Sequence, residues 1–357
     1  MVAKSKKKER QSEPNIRHPR DTTFLRGQKA AEMQFLQALS SGRMPHAWLI
    51  NGPKGIGKAT LAYRIARYLL SDSAAPSLDV DMSAPAIRRI QNQSHGDLKL
   101  LESVGGDVSV EEGREIGKFL SHTPSESQWR VVIIDSVDDM NRNAANAILK
   151  TLEEPPSRAV ILLISHNPGV LLPTIRSRCR ALKLQPLSKD GFADIVREHA
   201  PQLDVDMQHA YFALSSGSPG LALFLIDQEA LALYHAVLEL FPINSTIPDW
   251  SRAHKLADQM SGVANTVRFE AMQHVMQYLF CQIIRTSLQQ RSAEDEVLEG
   301  ENAVLLTIAN FKSLKAWLDL WQESAIFLQD TRRIHLDRKQ VLLNIIASMQ
   351  PQGNLVN

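Results

Sequence analysis

A glycine-rich loop between an apolar strand and a helix constrains the fold of this chain more than any other feature. The run Ala47-Trp48-Leu49-Ile50 leads into Gly52-Pro53-Lys54-Gly55-Ile56-Gly57-Lys58, and a helix to about Leu70 follows. The glycine-rich turn and Lys58 fit the template G-x-x-x-x-G-K-[ST], in which backbone N–H groups and a helix N-terminus surround a phosphate group. The sequence therefore predicts the strand–loop–helix unit of an α/β fold, with a phosphate-binding loop.

The loop supplies most, but not all, of the groups that the template requires. In place of the Ser or Thr whose hydroxyl binds Mg²⁺, the residue after Lys58 is Ala59. Thr60, one position later, can still contact a phosphate oxygen. We interpret the site as a degenerate nucleotide-binding site in which weak ATP binding stays open, with the candidate residues Gly52, Gly55, Gly57, Lys58, Thr60 and Asp135.

A second defect follows a later strand. The apolar run at 131–134 predicts a buried strand that ends in Asp135, a carboxylate placed to face a metal ion. Ser136 comes next, where a hydrolytic site needs an acid. Because phosphoryl transfer depends on positioning and charge stabilisation, both defects predict binding without efficient hydrolysis.

Short apolar runs alternate with helical patterns through the first half of the chain. Strands are predicted at 98–101, 130–135 and 160–164, with helices at about 110–121 and 141–152 between them. This alternation predicts an α/β fold with a doubly wound parallel sheet. The second half differs, because helices are predicted beyond Pro186 at 189–199, 205–216 and 218–232, and from Trp250 to Met349 the pattern is all-α.

Composition sets looser bounds. With 357 residues, of which 44% are hydrophobic, the chain exceeds what one core usually supports, so two or three domains are expected. The net charge is +1, and any contact with nucleic acid must therefore come from a local patch. Residues 1–20 contain Lys4, Lys6, Lys7, Lys8 and Arg10, and they predict a disordered basic tail; a solubilising leader is favoured, and an arm that touches DNA stays open.

The two cysteines, Cys179 and Cys281, cannot form a disulfide framework, and neither has a Cys or His nearby at metal-ligand spacing. This usage favours a cytoplasmic protein. No apolar run reaches the ~18 residues needed to span a bilayer, and the N-terminus lacks the apolar core of a signal peptide. We therefore expect no contact with a membrane.

Two segments on either side of the strand at 160–164 carry a family resemblance. Leu149–Pro156, which ends in Glu-Glu-Pro-Pro, precedes that strand, and Leu172–Cys179, which ends in Ser-Arg-Cys, follows it. With Gly27-Gln28 and His46-Ala47 upstream, these segments closely resemble the bacterial clamp-loader ATPases of the AAA+ superfamily. The resemblance covers roughly residues 24–230.

The resemblance implies three domains after the basic tail. An AAA+ P-loop domain with a parallel sheet would occupy residues 21–186, and a small helical lid would occupy residues 187–244. An all-α collar domain, through which the subunits of a clamp loader form a ring, would occupy residues 245–357.

Three departures from the family pattern concern catalysis. The motor subunits, gamma and tau, carry Thr or Ser after the loop lysine, Asp-Glu at the end of the third strand, and an arginine after Gly-Ser in the lid. This chain has Ala59, Ser136 and, in Gly217–Leu221, no arginine. The resemblance therefore implies a largely ATPase-deficient subunit that stands beside the motors of the DNA polymerase III clamp loader.

Arg178 is the catalytic residue that the resemblance leaves intact. The arginine of the Ser-Arg-Cys element would act in trans as an arginine finger on the γ-phosphate of ATP held by a neighbouring motor, since its planar fork suits phosphate oxygens. A surface ion pair is the plainer alternative. The implied partners are the gamma/tau and delta subunits and, through the complex, the sliding clamp and primed DNA.

No metal or other cofactor is expected to be required. Many family members carry a four-cysteine zinc module, but residues 71–97 here contain no cysteine, so we predict no zinc. Two other functions stay open. One is an active motor ATPase of the gamma/tau type in which Asp138 or Asp139 supplies the displaced acid, and the other is a nucleotide kinase, which only the phosphate loop favours.

Overall fold

A computed structural model of the chain describes residues 18–102, 110–243, 245–333 and 336–351. The predicted tail at residues 1–20 lies outside these ranges except for its last three residues. The chain divides into two compact units. The first runs to Ile195 and includes Gly217–Leu221, and the second contains Val196–Ser216 and the chain from Ala222 onward.

The first unit is built on a five-stranded parallel sheet in the order β2-β3-β4-β1-β5. In chain order the strands are β1 (Ala47–Asn51), β2 (Leu98–Glu102), β3 (Arg130–Asp135), β4 (Ala159–Ser165) and β5 (Arg180–Lys183). β4 is buried along its whole length, which explains its uninterrupted apolar sequence. The predicted α/β fold with a parallel sheet is confirmed.

Helices cover both faces of this sheet. They are α1 (Lys29–Ser40), α2 (Lys58–Leu70), α3 (Pro85–Gln91), α4 (Val110–Ser121), α5 (Arg142–Glu153) and the short α6 (Pro173–Arg176). After β5 the chain forms α7 (Lys189–His199). Alternate strand residues separate into two clusters: Trp48 and Ile50 pack with residues of α1–α3, whereas Ala47 and Leu49 pack with residues of α4 and α5. The period of two along β1 thus supplies a core on each side of the sheet.

The second unit contains only helices among its described residues. After α8 (Val205–Leu214) and α9 (Pro219–Asp227) come α10 (Ala230–Leu238), α11 (Trp250–Asp258), α12 (Thr266–Ser287), α13 (Glu301–Ala309), α14 (Leu314–Arg333) and α15 (Arg338–Ser348). The single helix predicted for 218–232 is wrong, because the chain turns at Glu229, whose φ is +52°, and begins α10 there. The predicted boundary between a lid at 187–244 and a collar at 245–357 stays a prediction.

Within the described ranges, no single helix has both the length and the apolar composition to cross a membrane. The α9 and α10 helices have the necessary length and apolar composition only when they are taken together, and the chain bends by 73° between them. Several of their apolar residues, among them Ala222, Leu225 and Leu233, are buried in the fold.

Candidate nucleotide site

The phosphate loop joins β1 to α2 at the carboxyl edge of the sheet, where ligands of α/β folds usually bind. Gly57 stands at the N-cap of α2 with φ +100°, and a Cβ there would lie 2.5 Å from Leu25 Cδ1. Only glycine fits this position without displacing Leu25. Ala59 and Thr60 follow in the half-buried first turn of α2, so the loop keeps the shape of an anion site but presents no hydroxyl directly after its lysine.

Lys58 ties the loop together. Its ammonium donates hydrogen bonds to the carbonyl oxygens of Gly52 at 2.7 Å and Pro53 at 2.6 Å, and the residue is only 3% exposed. Burial lowers the pKa of Lys58 to about 8, against the opposing effect of Asp135. The side chain is therefore mostly charged at neutral pH, and it is placed to receive a phosphate group as a point charge.

Asp135 ends β3 opposite Glu102 of β2 in the register of the sheet. Burial raises the pKa of Asp135 to about 6, and the negative charge of Glu102 adds to this, whereas Lys58 opposes it. The structure thus brings the predicted carboxylate into the electrostatic field of the predicted loop lysine. Ser136, which follows, donates its hydroxyl to Asp139 Oδ2 at 3.0 Å and supplies no acid of its own.

Asp138 is used by the backbone at the end of β4. Its Oδ1 accepts the Ser165 hydroxyl at 2.7 Å, and its Oδ2 accepts the backbone N–H of His166. Burial, followed by the nearby charge of Lys58, lowers the pKa of His166 to about 4, so this imidazole is neutral at physiological pH. Ser165 and His166 therefore take part in a hydrogen-bonded corner that the Asp138 carboxylate holds.

The Gly217–Leu221 segment packs directly on the phosphate loop. Ser218, which is fully buried, donates its hydroxyl to the Lys54 carbonyl at 2.5 Å, and the Gly220 N–H donates to the Gly55 carbonyl at 2.9 Å. A Cβ on Gly55 would lie 2.3 Å from Leu221 N, and one on Gly220 would lie 2.7 Å from Gly55 O. Two backbones meet here with no room for a side chain, a feature that the sequence analysis did not predict.

Arg178 lies away from the loop. It lies two residues before β5, which pairs in parallel with β1, so it stands at the amino edge of the sheet, whereas the loop follows the carboxyl end of β1. Its Nη2 lies 2.8 Å from Glu153 Oε1, and its Nη1 donates to the Thr174 carbonyl at 3.0 Å. The Arg178 side chain remains partly exposed, with 35% of its surface accessible to solvent. The topology therefore separates Arg178 from the chain's own phosphate loop.

Sequence reasoning missed Glu153 as the partner of Arg178. Glu153 is the last residue of α5, where the negative end of the helix dipole disfavours an acid. That misplaced charge is the signal that could have indicated a cationic partner. Within the described ranges, no cluster of three His, Cys, Asp or Glu side chains could hold a metal ion.

Comparison with known proteins finds relatives of part of this chain. Residues 27–188 match the family described as DNA polymerase III, delta subunit. The chain is 33% identical over 179 residues to DNA polymerase III subunit gamma of Buchnera aphidicola, covering 50% of this chain and 49% of that protein. It is also 35% identical over 176 residues to DNA polymerase III subunit delta' of Pseudomonas aeruginosa, covering 49% and 53%, and 35% identical over 159 residues to that of Bacillus subtilis, covering 44% and 47%.

The chain thus spans about half the length of each of these relatives. The family match at residues 27–188 includes the sheet, the phosphate loop and the Ser-Arg-Cys element. Both gamma and delta' proteins are among these relatives, so the matches do not separate one kind of subunit from the other. The similarity to subunits of DNA polymerase III therefore rests on residues 27–188, a little under half of the chain.

Proposed function

We propose that this chain is a delta-prime subunit of the clamp loader, largely deficient in ATP hydrolysis, which supplies Arg178 in trans to a motor subunit during sliding-clamp loading in DNA replication. The observation that carries the proposal is the separation of Arg178 from its own loop, at opposite edges of one parallel sheet. An arginine finger in this position has to act on a nucleotide that a neighbouring subunit holds.

Loss of hydrolysis is supported at three places around the loop. Ala59 has no side-chain oxygen that could bind Mg²⁺, and Ser136 is not an acid. The backbone of Gly220 packs against Gly55 and leaves no space there for a side chain. Loop glycines and Lys58 fit a phosphate group, so a nucleotide can bind weakly, but the donor set lacks the hydroxyl that holds its metal ion. No cofactor, and no zinc, is required in this function.

The partners in this proposal are the gamma/tau motors and delta, with the sliding clamp and primed DNA reached through the assembled complex. The remaining candidate is a motor ATPase of the gamma/tau type, which the similarity to gamma proteins favours. It needs Asp138 or Asp139 as the acid. Asp138 is held by Ser165 and the His166 backbone, and Asp139 accepts the Ser136 hydroxyl, which supports the delta-prime assignment instead.

Substitution of Arg178 in a reconstituted complex tests the proposal. Arg178→Ala should lower ATP turnover at the motor site it serves by on the order of 10³-fold or more, as for other arginine fingers, while the complex still assembles. Arg176→Ala is the matched control, because Arg176 is an exposed arginine two residues away whose Nη1 contacts only a backbone carbonyl, that of Pro168 at 3.4 Å. Equal turnover by the Arg178→Ala and wild-type complexes refutes the finger role.

A further inference from the structure

A carboxylate, a backbone carbonyl and, at 3.3 Å from Nη1, the Ser177 hydroxyl hold the Arg178 guanidinium on the surface of the first unit. Glu153 Oε1 lies 2.8 Å from Nη2, and the Thr174 carbonyl accepts from Nη1 at 3.0 Å. Thr174 belongs to the four-residue helix α6, and its carbonyl also accepts the Ser177 hydroxyl at 3.1 Å. One face of the arginine is therefore fixed by backbone and the other by a carboxylate.

The contacts of Arg178 with Thr174 and with Glu153 differ in how readily another ligand can replace them. The Thr174 carbonyl is part of the backbone and moves only with α6, whereas Glu153 is a side chain with half of its surface exposed. Exposed ion pairs contribute little to stability because water screens both charges. A terminal phosphate carries more charge than a carboxylate and offers oxygens that fit the guanidinium fork. A phosphate group can therefore replace Glu153 without disturbing the bond to Thr174.

The position of Glu153 suggests that it is not there to stabilise its own helix. It ends α5, where an acidic side chain opposes the helix dipole, and Glu154 and two prolines follow it directly. The charge of Arg178 offsets this disadvantage. Removing the Glu153 charge should therefore leave α5 intact.

We propose that Glu153 is a positioning residue for Arg178: it holds the guanidinium in readiness and gives way to the terminal phosphate of a nucleoside triphosphate bound by a neighbouring subunit. This inference rests on the proposed function, because it assigns the phosphate to another chain. The Glu153 carboxylate and that phosphate then compete for the Arg178 guanidinium.

The isolated chain tests the holding contact. Phenylglyoxal modifies arginine, and an ion-paired guanidinium reacts more slowly than a free one, so mass spectrometry of Arg178 reports the pairing. In Glu153→Gln the modification rate should rise about two- to five-fold, in line with the small free energy of an exposed pair. Glu154→Gln, which removes the same charge from the adjacent exposed residue, should leave the rate unchanged. Equal rates in the wild-type chain and Glu153→Gln, or the same rise in both variants, overturn the inference.

The reconstituted complex tests the exchange. With the competitor removed, Glu153→Gln should lower the KM for ATP by up to about five-fold and keep kcat, and Glu154→Gln should match wild type. An unchanged KM, or a kcat that falls as in Arg178→Ala, overturns the exchange. If Arg178→Ala itself has no effect on turnover, the proposed function fails and the exchange with it, whereas the modification rates still decide whether Glu153 holds the arginine.

Discussion

Asp135 ends β3 close enough to Glu102 and Lys58 for their charges to act on it, and burial raises its pKa to about 6 from an ordinary value of 3.8. Between these two values the folded chain binds a proton that the unfolded chain has released. The free energy of unfolding therefore falls as pH rises from about 4 to 6, so far as this group is concerned. The carboxylate is kept at a cost to stability at neutral pH.

Asp135→Asn should remove this dependence. Relative to the wild-type chain, the variant should gain stability between pH 4 and pH 7 by an amount on the order of 2 kcal/mol, because the wild-type chain alone loses it over that range. Urea unfolding of both proteins at the two pH values measures the difference. Parallel pH profiles would show that burial does not shift Asp135 as described.

Some residues of the candidate site could be predicted from the sequence. The loop template identified Lys58, and the apolar run before Asp135 identified that carboxylate, because both patterns are local. The contact of Arg178 with Glu153 could not be predicted in the same way. It joins the last residue of α5 to a residue two positions before β5, and the whole of β4 lies between them in the sequence, so only the fold brings the two side chains together.

At the scale of elements, the contact between the phosphate loop and the first turn of α9 depends on two glycines. A side chain at Gly220 would place its Cβ 2.7 Å from the Gly55 carbonyl oxygen and 3.1 Å from Gly55 Cα. Both are backbone atoms, so the loop itself would have to move. The active relatives that the sequence resembles carry an arginine after Gly-Ser, and this packing leaves no space for one at Gly220.

Gly220→Arg should therefore fail to supply a lid arginine. The expected result is a loss of about 1–3 kcal/mol in the free energy of unfolding, typical of overpacking, with no gain in ATP turnover. Gly191→Arg is the matched control, because Gly191 also lies in the first turn of a helix, α7, and its Cβ would meet only Ser188 Oγ at an ordinary 3.4 Å. Thermal unfolding and an ATPase assay measure both effects. A Gly220→Arg chain of normal stability would mean that the loop yields easily.

Sequence patterns predicted most strands and helices of the first unit because each depends on neighbouring residues. β3 and α4 begin and end where the apolar periodicity does, at Arg130–Asp135 and Val110–Ser121. The prediction of one helix at 218–232 failed because α9 and α10 are both apolar, so their composition shows no boundary between them. The chain breaks at Glu229, which has a left-handed backbone conformation that non-glycine residues adopt only rarely. Periodicity gave no indication of that turn.

For the whole molecule, the distribution of catalytic groups along the chain argues against autonomous hydrolysis. Ala59, Ser136 and Gly220 lie on three different elements, so no single compensating residue could restore all three functions. Arg178 stands at the other edge of the sheet and cannot replace them in cis. Under the proposed function, Arg178 would act on a phosphate held by another subunit, and the loop would hold a phosphate without cleaving it.

The isolated chain should consequently hydrolyse ATP with Mg²⁺ no faster than its Lys58→Ala variant. Lys58 holds the loop through the Gly52 and Pro53 carbonyls and supplies its positive charge, so this variant removes whatever function the loop retains and defines the background. A steady-state assay of phosphate release compares the two proteins at equal concentration, and addition of motor subunits to the wild-type chain provides the positive reference. Turnover by the wild-type chain alone at the rate of a motor subunit, abolished in Lys58→Ala, would favour the gamma/tau assignment, because it would require an acid and a metal ligand that Ser136 and Ala59 do not provide.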